Sequence, residues 1–156
     1  MAPLRLTDLL LASLLSLAPF AYVLRYGDEL YLGVWYYIAA PLVVITYASY
    51  LTPRSFFVLG AACGLLFSYL PYWSYQHTST RPDGLLGLVH LFSLPALLVG
   101  LLAAKQVLGR WGSGSTFVAL LFGAGGAMVG ASLGELALCA ARIVCGPISI
   151  TVLLPR

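Results

Sequence analysis

Long apolar runs separated by short polar breaks dominate the chain. Each run is close to the roughly 20 residues that an α-helix needs to cross the hydrocarbon layer of a membrane. The runs lack the alternation of a β-barrel, and helices satisfy their own backbone hydrogen bonds in lipid. We therefore predict an all-α integral membrane protein, a polytopic bundle of five transmembrane helices over 7–24, 30–51, 55–75, 84–108 and 116–145.

The breaks between the runs set the domain organisation. All of them are too short to hold another domain, so 1–156 is predicted to be one transmembrane domain. The fifth run is longer than a membrane requires and has its first clear stop at Gly146-Pro147. Four spans with an additional interfacial helix are the alternative arrangement.

Composition agrees with this class and excludes others. Of 156 residues, 61% are hydrophobic and 8% are charged, against about 25% charged in soluble domains. So much apolar surface excludes a soluble enzyme. A nucleic-acid-binding module is excluded because the few charges lie between apolar runs and form no phosphate-binding patch. The membrane lipid is therefore one expected partner.

The positions of the basic residues predict an orientation. In a five-span arrangement, four of them fall on the side of the N-terminus: Arg5, Arg54, Lys105 and Arg110. Short cytoplasmic loops carry an excess of Lys and Arg, which favours a cytoplasmic N-terminus. Counting Arg142 and Arg156 on the other side removes the bias, so the opposite orientation stays open. The small size and short loops suggest a bacterial inner membrane.

Small residues recur every four positions along the fifth run. Gly126, Gly130 and Gly134 form a doubled GxxxG, and Gly123 and Ala127 belong to a second stripe. Such stripes let helix backbones approach closely in lipid. Both stripes are interpreted either as packing surfaces within the bundle or as one internal surface and one surface for a partner or a second copy.

An ionisable residue, Glu135, continues the second stripe. Charged groups inside a membrane are costly, so such a residue is a candidate functional site. Arg142 follows seven positions later on the same face of a continuous helix, and His90 is expected at a similar depth. One interpretation is a buried structural tie, and the other is a proton, cation or partner-recognition site.

Histidines and cysteines predict no metal site or cofactor. His77 and His90 lie thirteen positions apart, and neither HExxH nor CxxC occurs. Cys139 and Cys145 on a continuous helix would have Cα atoms roughly 9 Å apart, beyond the limit of about 7 Å for a disulfide. They are expected to pair only if the helix breaks before Gly146.

Aromatic and acidic residues are concentrated toward the side opposite the N-terminus. An aromatic belt at the membrane interface is one explanation. The other is an outward docking patch formed by Asp28, Glu29, Trp35, Trp73 and Asp83.

No combination of a nucleophile with a base is evident, which predicts a protein that is not an enzyme. We expect a small multi-pass protein that acts through protein–protein contacts in or at the bilayer. Accessory or assembly factors, and immunity-type proteins directed against membrane-active toxins, share this architecture. The alternative is an oligomeric transporter or channel subunit with Glu135 and His90 in the pathway.

Overall fold

Five α-helices form the computed structural model of the chain, which describes residues 2–26, 31–78, 86–112, 114–143 and 145–146. The helices are α1 (Ala2–Tyr26), α2 (Tyr31–Leu51), α3 (Phe57–Thr78), α4 (Leu86–Trp111) and α5 (Thr116–Ala140). No strand occurs within these ranges. The all-helical class predicted from the apolar runs is therefore confirmed for the described residues.

Helix α5 lies between α3 and α4 and makes its main contacts with both. Helix α1 packs on α2 and α3, and α2 also contacts α4. The central position of α5 follows from its many small residues, because glycine and alanine allow two neighbouring backbones to approach at once. Its buried positions include Ala119, Ala127 and Ala131.

Three helices are long and apolar enough to cross a membrane by themselves. Their spans are Leu4–Ala21, Leu91–Trp111 and Thr116–Ala140. The apolar stretches of the other two helices, Tyr37–Leu51 and Phe57–Tyr72, are shorter within the described residues. Membrane-spanning capacity is thus established for three helices, and the predicted count of five transmembrane helices is not confirmed.

The end of α5 differs from the prediction. The helix stops at Ala140, five residues before the predicted end at Cys145. Arg142 adopts a left-handed conformation with φ of 57°. Its N–H donates to the Cys139 carbonyl at 2.9 Å, and the Ile143 N–H donates to the Leu138 carbonyl at 3.1 Å. These two bonds form a Schellman motif, which ends a helix by satisfying its last carbonyl groups.

Candidate functional site

A buried carboxyl group lies on α5 near its end. Glu135 is 1% exposed, and its Oε2 accepts a hydrogen bond of 2.7 Å from the Tyr72 hydroxyl of α3. Glu135 continues the register of Ala127 and Ala131, which are buried on the same side of α5, so its side chain faces protein. An isolated carboxylate in such surroundings would be very unfavourable, so the hydroxyl donor is part of what makes its burial possible.

The chain after α5 returns to cover this pair. A Cβ atom at Gly146 would lie 2.6 Å from Glu135 Cδ and 2.7 Å from the Tyr72 hydroxyl oxygen. Any larger residue at position 146 would therefore displace the acid or the tyrosine. Glycine is favoured here for space, and not for backbone conformation, because it lets the acid and the tyrosine keep their positions.

A disulfide between Cys139 and Cys145 holds the returning segment. The Cα atoms of the two cysteines are 4.4 Å apart, which the helix end at Ala140 makes possible. The sequence condition for pairing, a break before Gly146, is met by the Schellman motif. Cys63 on α3 is a free cysteine.

The other two members of the predicted polar site behave differently. Arg142 is exposed and lies beyond the end of α5 in a left-handed conformation, so it does not continue the helix face of Glu135. The expectation that it shares a helix face with Glu135 was wrong for that reason. His90 belongs to α4, but its side chain lies outside the described residues.

The first glycine stripe of α5 faces α4. A Cβ atom at Gly126 would lie 2.6 Å from Ala104 Cβ, and one at Gly130 would lie 2.6 Å from the Ala96 carbonyl oxygen. A Cβ atom at Gly134 would lie 2.9 Å from Ala96 Cβ. These contacts require glycine at each position and place this stripe inside the bundle.

The second stripe faces α3. A Cβ atom at Gly123 would lie 2.9 Å from the Ala61 backbone nitrogen, and one at Gly64 would lie 2.8 Å from Ala127 Cβ. Ala127 is fully buried. Both predicted stripes thus occupy contacts within this chain.

A groove runs along the outer side of the α4–α5 contact, and Gly126 and Gly130 of the first stripe are among its lining residues. Its volume is about 730 Å³, and its lining is almost entirely apolar. Small residues form much of it, among them Gly100, Ala103 and Gly125. A Cβ atom at Gly125 would meet nothing within 4 Å, so this glycine, unlike its neighbours, is not required by packing within the chain.

Sequence reasoning missed a second buried acid, Asp8 on α1. It is 1% exposed, and its Oδ1 accepts the Leu59 backbone N–H at 2.8 Å. Leu59 lies in the first turn of α3, where N–H groups have no acceptor within the helix. Phe56, which precedes α3, has φ of 67° and offers no capping side chain, so α1 supplies the cap.

The predicted outward patch falls outside what can be described. Asp28, Glu29 and Asp83 are outside the described residues, and so are the side chains of Trp35 and Trp73. Within the described part of the chain, no group of three or more His, Cys, Asp or Glu residues is placed to hold a metal ion.

Comparison of the chain with protein-family models, with curated proteins and with solved structures finds no match. The functional interpretation therefore depends on the geometry alone.

Proposed function

We propose that this chain is a non-catalytic multi-pass membrane protein that acts by binding a transmembrane helix of a partner protein. The observation that carries the proposal is the α4–α5 groove. It is apolar, as a surface facing lipid must be, and its small residues allow close approach of another backbone. Both glycine stripes pack against helices of the same chain, and the groove leaves Gly125 and the outer edge of the first stripe open to a partner.

An accessory or assembly subunit, or an immunity-type protein that binds a membrane-active toxin, would use such a surface. In both cases the partner is recognised by shape within the bilayer, so no catalytic residues are needed. Weak packing around Gly125 in the isolated chain is consistent with a contact that forms only with the partner.

We further propose that the N-terminus is cytoplasmic and the end of α5 faces the opposite, oxidising side. Two independent features support this orientation. The basic residues Arg5, Arg54 and Arg110 lie toward the end of the bundle where α1 and α5 begin, as the positive-inside rule favours. The disulfide of Cys139 lies at the other end, and disulfides persist outside the reducing cytoplasm.

The groove is tested by photocrosslinking in native membranes. A photoreactive residue at Val129, which is exposed in the groove, should form an adduct with one foreign membrane protein. The same probe at Leu14, exposed on α1, is the control for contact with passing proteins and should give no such adduct.

Substitution of Gly125 then separates partner binding from folding. Because a Cβ at Gly125 would meet nothing within 4 Å, Gly125→Leu should fill the groove and abolish the adduct while the thermal stability is retained. Gly109→Leu is the matched control, because this glycine of α4 also has open space around it but does not line the groove. An adduct that survives Gly125→Leu would overturn the proposal, and adducts between copies of the chain would favour the oligomeric transporter.

A further inference from the structure

A second cavity lies at the opposite end of α5 from Glu135. It has a volume of about 770 Å³ and is bounded by the first turns of α1, the α2–α3 connection and the start of α5. This volume lies in the range of about 300–1,000 Å³ that is typical of small-molecule sites. The cavity is separate from the α4–α5 groove and shares no lining residue with it.

Two arginines line this cavity, Arg5 from α1 and Arg54 from the α2–α3 connection. One guanidinium nitrogen of Arg5 donates to the Ser49 carbonyl at 3.1 Å, which holds the side chain in place. A guanidinium carries five N–H donors, so this bond leaves capacity for an anion. The acid of α1, Asp8, accepts the Leu59 N–H of α3 and also interacts electrostatically with Arg5, which reduces the positive charge of that arginine only in part.

The first turn of α5 adds a third source of positive potential. Ser115 and Thr116 line the cavity, and the N-cap Ser115 forms no capping hydrogen bond through its side chain. The first N–H groups of a helix have no acceptor within it, and the helix dipole favours an anion at this end.

Apart from Ser55, the rest of the lining carries no polar side chain, and it lies at the edge of a membrane span. Leu4, Leu6 and Leu9 of α1 form one wall, and the apolar span of α1 begins at Leu4. Leu4 and Leu6 are 50% and 61% exposed. A ligand in this cavity thus meets cationic donors at one end and a surface suited to hydrocarbon at the other.

We propose that this cavity binds an anionic phospholipid. Its phosphate lies between Arg5, Arg54 and the start of α5, and an acyl chain follows the leucines of α1. The apolar wall favours a lipid over free phosphate, because a free anion would gain nothing from it. The site is independent of the partner groove, so either proposal stands if the other fails.

The test is a titration of the purified full chain in detergent, followed by native mass spectrometry. Phosphatidylglycerol is the probe, and phosphatidylcholine with the same acyl chains is the uncharged comparison. We expect selective retention of phosphatidylglycerol. Arg5→Gln and Arg54→Gln should each weaken its apparent affinity about fivefold, given the usual contribution of a basic residue to anionic lipid binding.

Two matched controls separate a built site from general attraction. Arg110→Gln removes the same charge near the same end of the bundle, at an exposed position outside the cavity, and should leave the affinity unchanged. Gly114→Trp fills the cavity without altering charge, since a Cβ there has open space, and should abolish retention. Gly109→Trp, at a glycine that also has open space but lies outside the cavity, should leave retention unchanged.

Three results would overturn the proposal. Equal retention of the two lipids would remove the charge argument, and an equal loss in Arg110→Gln would show diffuse attraction. Displacement of the lipid by millimolar inorganic phosphate would assign the site to a free anion. If Arg5→Gln lowers the melting temperature, Arg54→Gln and Gly114→Trp still decide the question.

Discussion

Two buried acids at opposite ends of the bundle hold the same helix. Asp8 and Glu135 are each 1% exposed. Asp8 on α1 binds the start of α3 through the Leu59 N–H, and Glu135 on α5 binds α3 through the Tyr72 hydroxyl farther along. Helix α3 is therefore fixed to two of its neighbours, α1 and α5, by a carboxyl group.

The two acids differ in what they satisfy. Asp8 accepts the Leu59 N–H, a backbone group that α3 cannot satisfy itself. Glu135 accepts from the side chain of Tyr72. Loss of this bond would leave no backbone group at a helix end without a partner. A helix terminus without an acceptor is the more costly defect inside a membrane. We expect the α1 contact to contribute more to stability than the α5 contact.

The largest effect is expected from Asp8→Ala. It removes the acceptor for the first turn of α3 without offering another, which should lower the free energy of unfolding by about 3 kcal/mol. Reversible unfolding in mixed micelles of mild detergent and dodecyl sulfate measures this change.

Asp8→Asn is the matched control, since its amide oxygen still accepts the Leu59 N–H. It should cost clearly less than the alanine variant. Equal losses for the two variants would mean that the negative charge, and not the acceptor, stabilises the start of α3.

The second largest effect on stability is expected from loss of the disulfide, which holds the segment that covers Glu135. Cys139→Ser combined with Cys145→Ser should lower the free energy of unfolding by about 2 kcal/mol, because a closed loop of this size constrains the unfolded chain. The same unfolding assay measures it, and Cys63→Ser is the control because Cys63 is a free cysteine. Addition of a reductant to the unaltered protein should reproduce the loss in the double variant, and an effect of Cys63→Ser as large would contradict this assignment.

Hydropathy predicts helices well here, because apolar runs and their breaks are properties of consecutive residues. The ends of the five helices agree with the ends of the five predicted runs to within five residues. The positions of the glycine stripes were also readable, since a step of four is a property of one helix. The helix that each stripe contacts could not be predicted, because Gly126 and Gly123 are distinguished only by their neighbours in the folded bundle, α4 and α3.

The errors arose where the outcome depends on an unusual backbone conformation or on a contact between distant residues. The stop at Ala140 depends on Arg142 in a left-handed conformation, which glycine favours and arginine rarely adopts. The capping role of Asp8 depends on a contact with Leu59, 51 residues away. Its only local signal was an acid within an apolar run, the same signal that identified Glu135.

The smallest effects on stability are expected at the Tyr72–Glu135 pair. Tyr72→Phe removes the hydroxyl donor and should lower the free energy of unfolding by about 1 kcal/mol, the usual scale for one hydrogen bond between membrane helices. Glu135→Gln keeps an acceptor for that hydroxyl and has nearly the same volume, so it should cost less than Tyr72→Phe. The unfolding assay used for Asp8 measures both.

The same two variants decide whether Glu135 is a tie or part of a pathway. A structural tie depends on the acceptor, so Glu135→Gln should retain crosslinking to the partner and should lower stability less than Tyr72→Phe does. A proton or cation pathway depends on the ionisable group, so Glu135→Gln would abolish flux in reconstituted vesicles while folding is unchanged. Flux that is present in the unaltered protein and lost in Glu135→Gln would replace the binding function proposed here with transport. Because the amide preserves shape and hydrogen bonding, such a loss would have no structural explanation.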